Sequence, residues 1–265
     1  MIPNPIRKVL SSMHAHRVRA MLMGGQACVF YGAAEFSRDA DFAILASPAN
    51  LSRLRRALDE LKAEVIAVPP FELKYLHKGH AVHFRCQHPE AAGIRIDVMT
   101  RMRGVAPFPK LWSRRTTLTL PDGTGCELLA LPDLVQSKKT QRDKDWSMLR
   151  RLVEANFFQH RARPNPAQVR FWLLELRTAE LLIEVARRHA KLCRALVRTR
   201  PLLVLAHSGK AEGLADALAE EENREREADR RYWQPLRLEL ESLRYARLAR
   251  RRRNGKLRGS TIRGS

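Results

Sequence analysis

Three aspartates sit where carboxylates are costly. Asp39 and Asp41 open the apolar run "DADFAILA", and Asp97 is embedded in "IRIDVM". A carboxylate in a buried strand carries a desolvation penalty unless something offsets its charge. Asp39 and Asp41 are two residues apart, so on a strand both side chains lie on one face. Two acids held that close repel unless a divalent cation lies between them. If the Asp97 strand neighbours theirs, three carboxylates converge. Such a constellation can bind one or two Mg²⁺ or Mn²⁺ ions and deprotonate an attacking hydroxyl during in-line displacement at phosphorus.

Gly24 and Gly25, between "VRAMLM" and "QACVFYGA", supply the other half. A glycine turn between a strand and a helix exposes backbone N–H groups, an anion site suited to triphosphate oxygens. A Cβ there would keep the phosphate away. Each signal alone has an ordinary explanation: a tight turn, a strand cap, a solvated acid. Their order carries the information: strand, Gly-Gly, helix, Asp-x-Asp, and a later strand with its own Asp.

The stretch "MGGQACVFYGAAEFSRDADFAI", with Asp97 downstream, resembles the opening motif of the DNA polymerase beta-type nucleotidyltransferase superfamily. The likeness covers residues 19–150. It implies transfer of a nucleotidyl group from a nucleoside triphosphate to an acceptor hydroxyl, with Mg²⁺ or Mn²⁺ as cofactor. Asp39 and Asp41 would bind metal, and Asp97 would complete the site and help activate the acceptor. Gly24, Gly25 and Gln26 would meet the nucleotide. A second stretch, "SKKTQRDKDWSML", is similar to the late basic segment of small bacterial members such as AbiEii-type toxins. There Lys138 or Lys139 would reach the phosphates, Arg142 would add charge, and Asp145 would orient or cap. A partner such as an antitoxin belongs to that resemblance. The chain departs from the pattern at Gln26, where Ser is frequent, and at Glu35, where relatives carry Arg.

Stepwise periodicity gives the elements that must hold these residues. Apolar runs predict strands over 18–25 and 39–46, with a helix over 26–33 between them. "SPANLSRLRRALDELKAE" predicts a helix capped by Ser47, with Pro48 in its first turn and Leu51, Leu54, Leu58 and Leu61 on one face. "HAVHFRC" and "GIRIDVM" alternate as an extended pair; Ile94, Ile96 and Val98 point one way, Arg95 and Asp97 the other. "TTLTL" and "CELLAL" flank the turn "PDGTG". Residues 131–141 and 142–155 then read as amphipathic helices, and almost everything past "RARPNP" is helical. The expected fold class is therefore α/β (α+β): a mixed sheet with helices, followed by an all-helical C-terminal domain. The expected boundaries are a nucleotidyltransferase-like domain over 1–160, a helical domain over 161–250 and a basic, disordered tail over 251–265.

Composition narrows the partners. The 265-residue chain is 45% hydrophobic, enough for a core, and its net charge is +21. That excess favours a polyanion, chiefly nucleic acid, with RNA such as tRNA as the expected acceptor. No apolar run reaches membrane-spanning length and no secretory leader is evident, so no membrane partner and a cytoplasmic location are expected. The last twenty residues hold eight basic residues and no acid; they read as a solvated tail or as a binding segment. Cys28, Cys86, Cys126 and Cys193 are too far apart for a metal pair and read as buried free thiols. His77, His80, His83 and His88 lack the spacing of a metal site; Tyr232–Trp233 could stack a base but read first as packing residues that anchor a terminal helix. Two alternatives remain: a non-catalytic nucleic-acid-binding protein of the same fold, and a nucleotidyltransferase acting on a small molecule.

Overall fold

The computed structural model describes residues 4–34 and 37–260, the side chains of residue 4 and of 250–260 excepted. Helix α1 (Asn4–Ala15) leads into strand β1 (Ala20–Met23), helix α2 (Gly24–Phe30) and strand β2 (Asp39–Ile44). Helix α3 (Pro48–Glu60) and the short β3 (Glu64–Val65) follow, then α4 (Leu73–Lys78), β4 (Val82–Arg85) and β5 (Arg95–Met99). After α5 (Phe108–Arg114), the hairpin β6 (Thr116–Thr119) and β7 (Gly125–Leu128) finishes the strands. The helical region contains α6 (Leu131–Ser137), α7 (Asp143–His160), α8 (Pro166–Glu175) and α9 (Ala179–Arg188). It ends with α10 (Ala190–Leu196), α11 (Leu203–Ser208) and the 50-residue α12 (Ala211–Ser260).

The seven strands form one sheet in the order β3-β4-β5-β2-β1-β7-β6. It is mixed: β2 runs parallel to β5 and antiparallel to β1, while β1 runs parallel to β7. Every residue of β1 is buried, so this central strand reads as a continuous apolar run rather than an alternation. The expected mixed sheet followed by a helical region is what the chain forms. The cap at α3 also behaves as its residues predict: the Ser47 side chain accepts from Asn50 N–H at 3.3 Å, and all four leucines of the face are buried. All four cysteines are free and buried.

Several expectations change. Helices α1, α4 and α5 cover residues to which periodicity assigned no element. Helix α3 stops at Glu60 rather than Glu64, because Lys62 takes a positive φ of 48°. The helix expected over 131–141 ends at Ser137; Thr140 accepts from Arg142 N–H through its hydroxyl and holds 138–142 as a turn. The proposed boundary falls in the turn before α8, yet the apolar core crosses it. Phe157 of α7 and Trp172 of α8 meet edge to face at 5.2 Å within one continuous cluster. Helix α12 runs through Ser260. Residues 261–265 lie outside the described residues, as does Glu35.

Candidate active site

The strand register brings the aspartates together. On the parallel pair β2–β5, Asp41 lies opposite Asp97 and Asp39 opposite Arg95. On the antiparallel pair β4–β5, His83 lies opposite Asp97. Met23 of β1 lies opposite Asp41, and Gly24 follows it at the sheet edge. One row therefore runs His83, Asp97, Asp41, Met23 across four strands, with Arg95 and Asp39 in the row two residues back. This row floors a cavity of about 640 Å³.

Asp97 and Asp41 differ sharply in their surroundings. Arg95 forks onto Asp97, Nε to Oδ1 at 2.7 Å and Nη2 to Oδ2 at 2.8 Å, and His83 Nδ1 lies 2.8 Å from Oδ1. Burial pushes the Asp97 carboxyl up, but His83 and Arg95 outweigh it and hold it below its ordinary value. Asp41 receives no hydrogen bond or ion pair from another described side chain. Burial, then the Asp97 charge, push it up to about 6, against the opposing pull of Lys138. Asp39 is exposed at the strand start.

Gly24 is required for a reason other than phosphate approach. Its φ is +67°, and a Cβ there would lie 1.8 Å from Asp41 Oδ2. The missing side chain makes room for the Asp41 carboxylate. Gly25 likewise faces Ser37, whose Oγ would lie 2.7 Å from an added Cβ. Both glycines and Ser37 line the cavity. Gln26 does not: it is 1% exposed beneath the turn, and its Oε1 has no hydrogen-bond partner among the described residues.

The basic wall comes from the turn between α6 and α7. Asp145, 2% exposed, accepts from Lys138 Nζ at 3.0 Å, Thr140 Oγ1 at 2.6 Å and Arg142 Nε at 2.7 Å. It orients both cations rather than capping α7, and they hold its carboxyl below the ordinary range against burial. Lys139 turns away from the carboxylates: its Nζ reaches Glu175 of α8 at 2.9 Å. Of the two neighbouring lysines, Lys138 is the one whose charge acts on Asp41. Helix α12 closes the far side with Asp229, Trp233 and Arg237. Trp233 thus faces the cavity, contrary to the packing role expected for it. It is fixed edge to face on Tyr232 at 5.1 Å and by Nε1 donating to Asp229 at 3.0 Å.

Among the cavity residues that the sequence did not place at the site are Arg95, His83, Ser37 and Trp233. Arg95 was legible, because it shares a strand face with Asp97. His83 was legible only as an alternating strand residue. Ser37 carries no local signal; Trp233 stands out in sequence as half of an aromatic pair, and only tertiary contacts put it at the cavity.

Asp39 and Asp41 offer hard oxygen donors, the type that suits Mg²⁺ or Mn²⁺. A carboxylate raised as Asp41 is raised is one that a cation would relieve. Asp97 is the third donor only if it shares or releases Arg95. Among the described residues, no group of three or more His, Cys, Asp and Glu side chains is already gathered to hold a metal ion. The remaining histidines expected not to form a metal site are dispersed: His80 pairs with Glu239 of α12 at 2.9 Å, and His88 caps a local turn. No described helix is long and apolar enough to cross a membrane.

No protein-family model matches the chain, and no curated protein matches it. Among solved structures, it is similar to JHP933 from Helicobacter pylori, with 13% identity over 88% of this chain and 94% of that one, at a TM-score of 0.37. It is also similar to a candidate nucleotidyltransferase from the same bacterium, with 13% identity over 83% of this chain and 92% of that one, at a TM-score of 0.38.

Proposed function

We propose that this protein is a nucleotidyltransferase that uses a divalent cation to move a nucleotidyl group from a nucleoside triphosphate to a hydroxyl of a polynucleotide, RNA above all. The observation that carries the reading is the pairing of Asp41 directly opposite Asp97 on adjacent parallel strands, with Asp39 one row behind, under a cavity walled by Lys138 and Arg142. Mg²⁺ or Mn²⁺, when bound, would neutralise the triphosphate and polarise the phosphorus under attack. Asp39 and Asp41 would hold it. Asp97 would accept the proton of the acceptor hydroxyl, with His83 and Arg95 setting its basicity. Lys138, fixed by Asp145, and Arg142 would pair with phosphate oxygens. The basic wall favours a polyanionic acceptor over a cationic small molecule. The basic turn 138–145 is the feature behind the resemblance to the small bacterial branch, and a protein partner such as an antitoxin would follow from that resemblance.

Labelled nucleoside triphosphates, Mg²⁺ or Mn²⁺ and total RNA provide the test. Wild type should label RNA, whereas Asp41→Asn and Asp97→Asn proteins, checked for folding, should lose at least 100-fold, an order-of-magnitude figure for removing one electrostatic group from a transition-state site. Equal labelling by wild type and both variants sinks the proposal.

The fork of Arg95 on Asp97 favours a second reading, a nucleic-acid-binding protein without turnover, since Asp97 there already has its counter-charge. Salt-sensitive RNA binding with no incorporation under any cation would select it.

A further inference from the structure

Helix α12 closes the cavity and then continues beyond it. Asp229 is 2% exposed and fully engaged, accepting from Gln141 N–H and from Trp233 Nε1 at 3.0 Å each. Glu239 is drawn to the other side of the helix by Lys78 and His80. Asp229 is thus engaged and Glu239 turned away, while Glu241, exposed, lies about 80° round the helix from Trp233 and flanks the sector of Arg237, Arg244 and Arg247. At about 100° per residue, Arg237, Leu240, Arg244 and Arg247 all fall within roughly 40° of the direction of Trp233. The three arginines are exposed, and no acid lies in that sector. From residue 242 onward the sequence holds nine Lys and Arg and no acid.

We infer that this face of α12, from Trp233 through Arg237, Arg244 and Arg247, is a track for a single strand of nucleic acid whose end enters the cavity beside Asp41 and Asp97. The inference deepens, and for the cavity end rests on, the proposed nucleotidyl transfer. Trp233 to Arg247 spans roughly 21 Å, enough for several phosphates. Arg237 is tied only to its own helix, Nη2 to the Arg230 carbonyl at 3.2 Å, so its charge can be redirected outward. Trp233 offers a partly exposed ring, held in one orientation by Tyr232 and Asp229, on which a base can stack. A cavity of about 640 Å³ is of the size that takes one nucleotide-sized group.

The test is fluorescence anisotropy of a labelled 12-nucleotide single-stranded RNA, without nucleotide or metal, across a salt series. Wild type should bind with a steep salt dependence. An Arg237→Gln, Arg244→Gln, Arg247→Gln triple variant should weaken binding at least tenfold and lower the salt slope by about two, at roughly 0.7 per phosphate contact. Trp233→Ala should weaken binding several-fold with the slope unchanged, and thermal melts should show both variants folded. The track is overturned if the triple variant binds as wild type does. It is also overturned if a duplex of equal length binds as tightly, or if anionic vesicles are bound while RNA is not. Binding that depends on these arginines without any nucleotide incorporation upholds the track and defeats the transferase reading alone.

Discussion

Replacing Asp41 with Asn should stabilise the cation-free protein at pH 8. The wild-type carboxyl rises from an ordinary 3.8 to about 6, first through burial and then through the Asp97 charge. At 1.36 kcal/mol per pH unit, ionising Asp41 in the folded state costs about 3 kcal/mol relative to the unfolded chain. The sign follows from proton binding. Between roughly pH 4 and 6 the folded protein holds this proton and the unfolded chain has lost it, so stability falls as pH rises through that window. Above the window the full cost remains; below about pH 4 it vanishes. Asn removes the charge but keeps a polar group in a partly buried place, so a gain of about 1–3 kcal/mol is expected at pH 8. For a chain of this length that corresponds to a rise in Tm of roughly 2–10 °C. Urea and thermal melts in EDTA at pH 4.5, 6 and 8 measure it. Mg²⁺ should then raise the wild-type Tm at pH 8 and raise that of the variant much less. A variant no more stable than wild type at pH 8, or one whose gain is the same at pH 4.5, would refute the electrostatic account.

Two other substitutions probe the same row. Gly24→Ala should cost about 3 kcal/mol or more, from the left-handed backbone and from overlap with Asp41 Oδ2 at 1.8 Å. Adding Asp41→Ala should recover part of that loss in a double-mutant cycle read by urea melts, and strict additivity would disprove the overlap. Arg95→Ala removes the fork from Asp97 and should destabilise the cation-free protein by about 1–3 kcal/mol. Because Arg95 contends for a carboxylate that a cation would use, the variant should show a larger Mg²⁺-induced rise in Tm than wild type. An unchanged response in calorimetry would show that Arg95 and the cation do not compete.

Local periodicity carries as far as the element and no further. The two-residue repeat of a strand already places Asp39 and Asp41 on one face, and Ser47 with Pro48 starts α3, because both effects act within a few residues. The charge of the turn 138–145 is equally plain in the sequence. Which lysine pairs with Asp145 is not: Lys138 and Lys139 are adjacent and both line the cavity, and the position of Glu175 on α8 engages Lys139 instead. The same holds for Gln26, which belongs to the Gly-Gly motif in sequence and lies beneath the turn in space.

The sequence by itself determined the strand and helix pattern, the mixed α/β class and the three acids worth watching, since each follows from side-chain periodicity and the cost of a carboxylate among apolar residues. Only the tertiary structure decided that Asp41 stands opposite Asp97, because register between strands more than fifty residues apart is set by packing on both sheet faces. It also decided what Gly24 is for. The glycine lets a neighbouring strand's carboxylate sit against the turn, a contact no local pattern encodes. The same packing lays α12 over the cavity, so that Asp229, Trp233 and Arg237 form one wall of it.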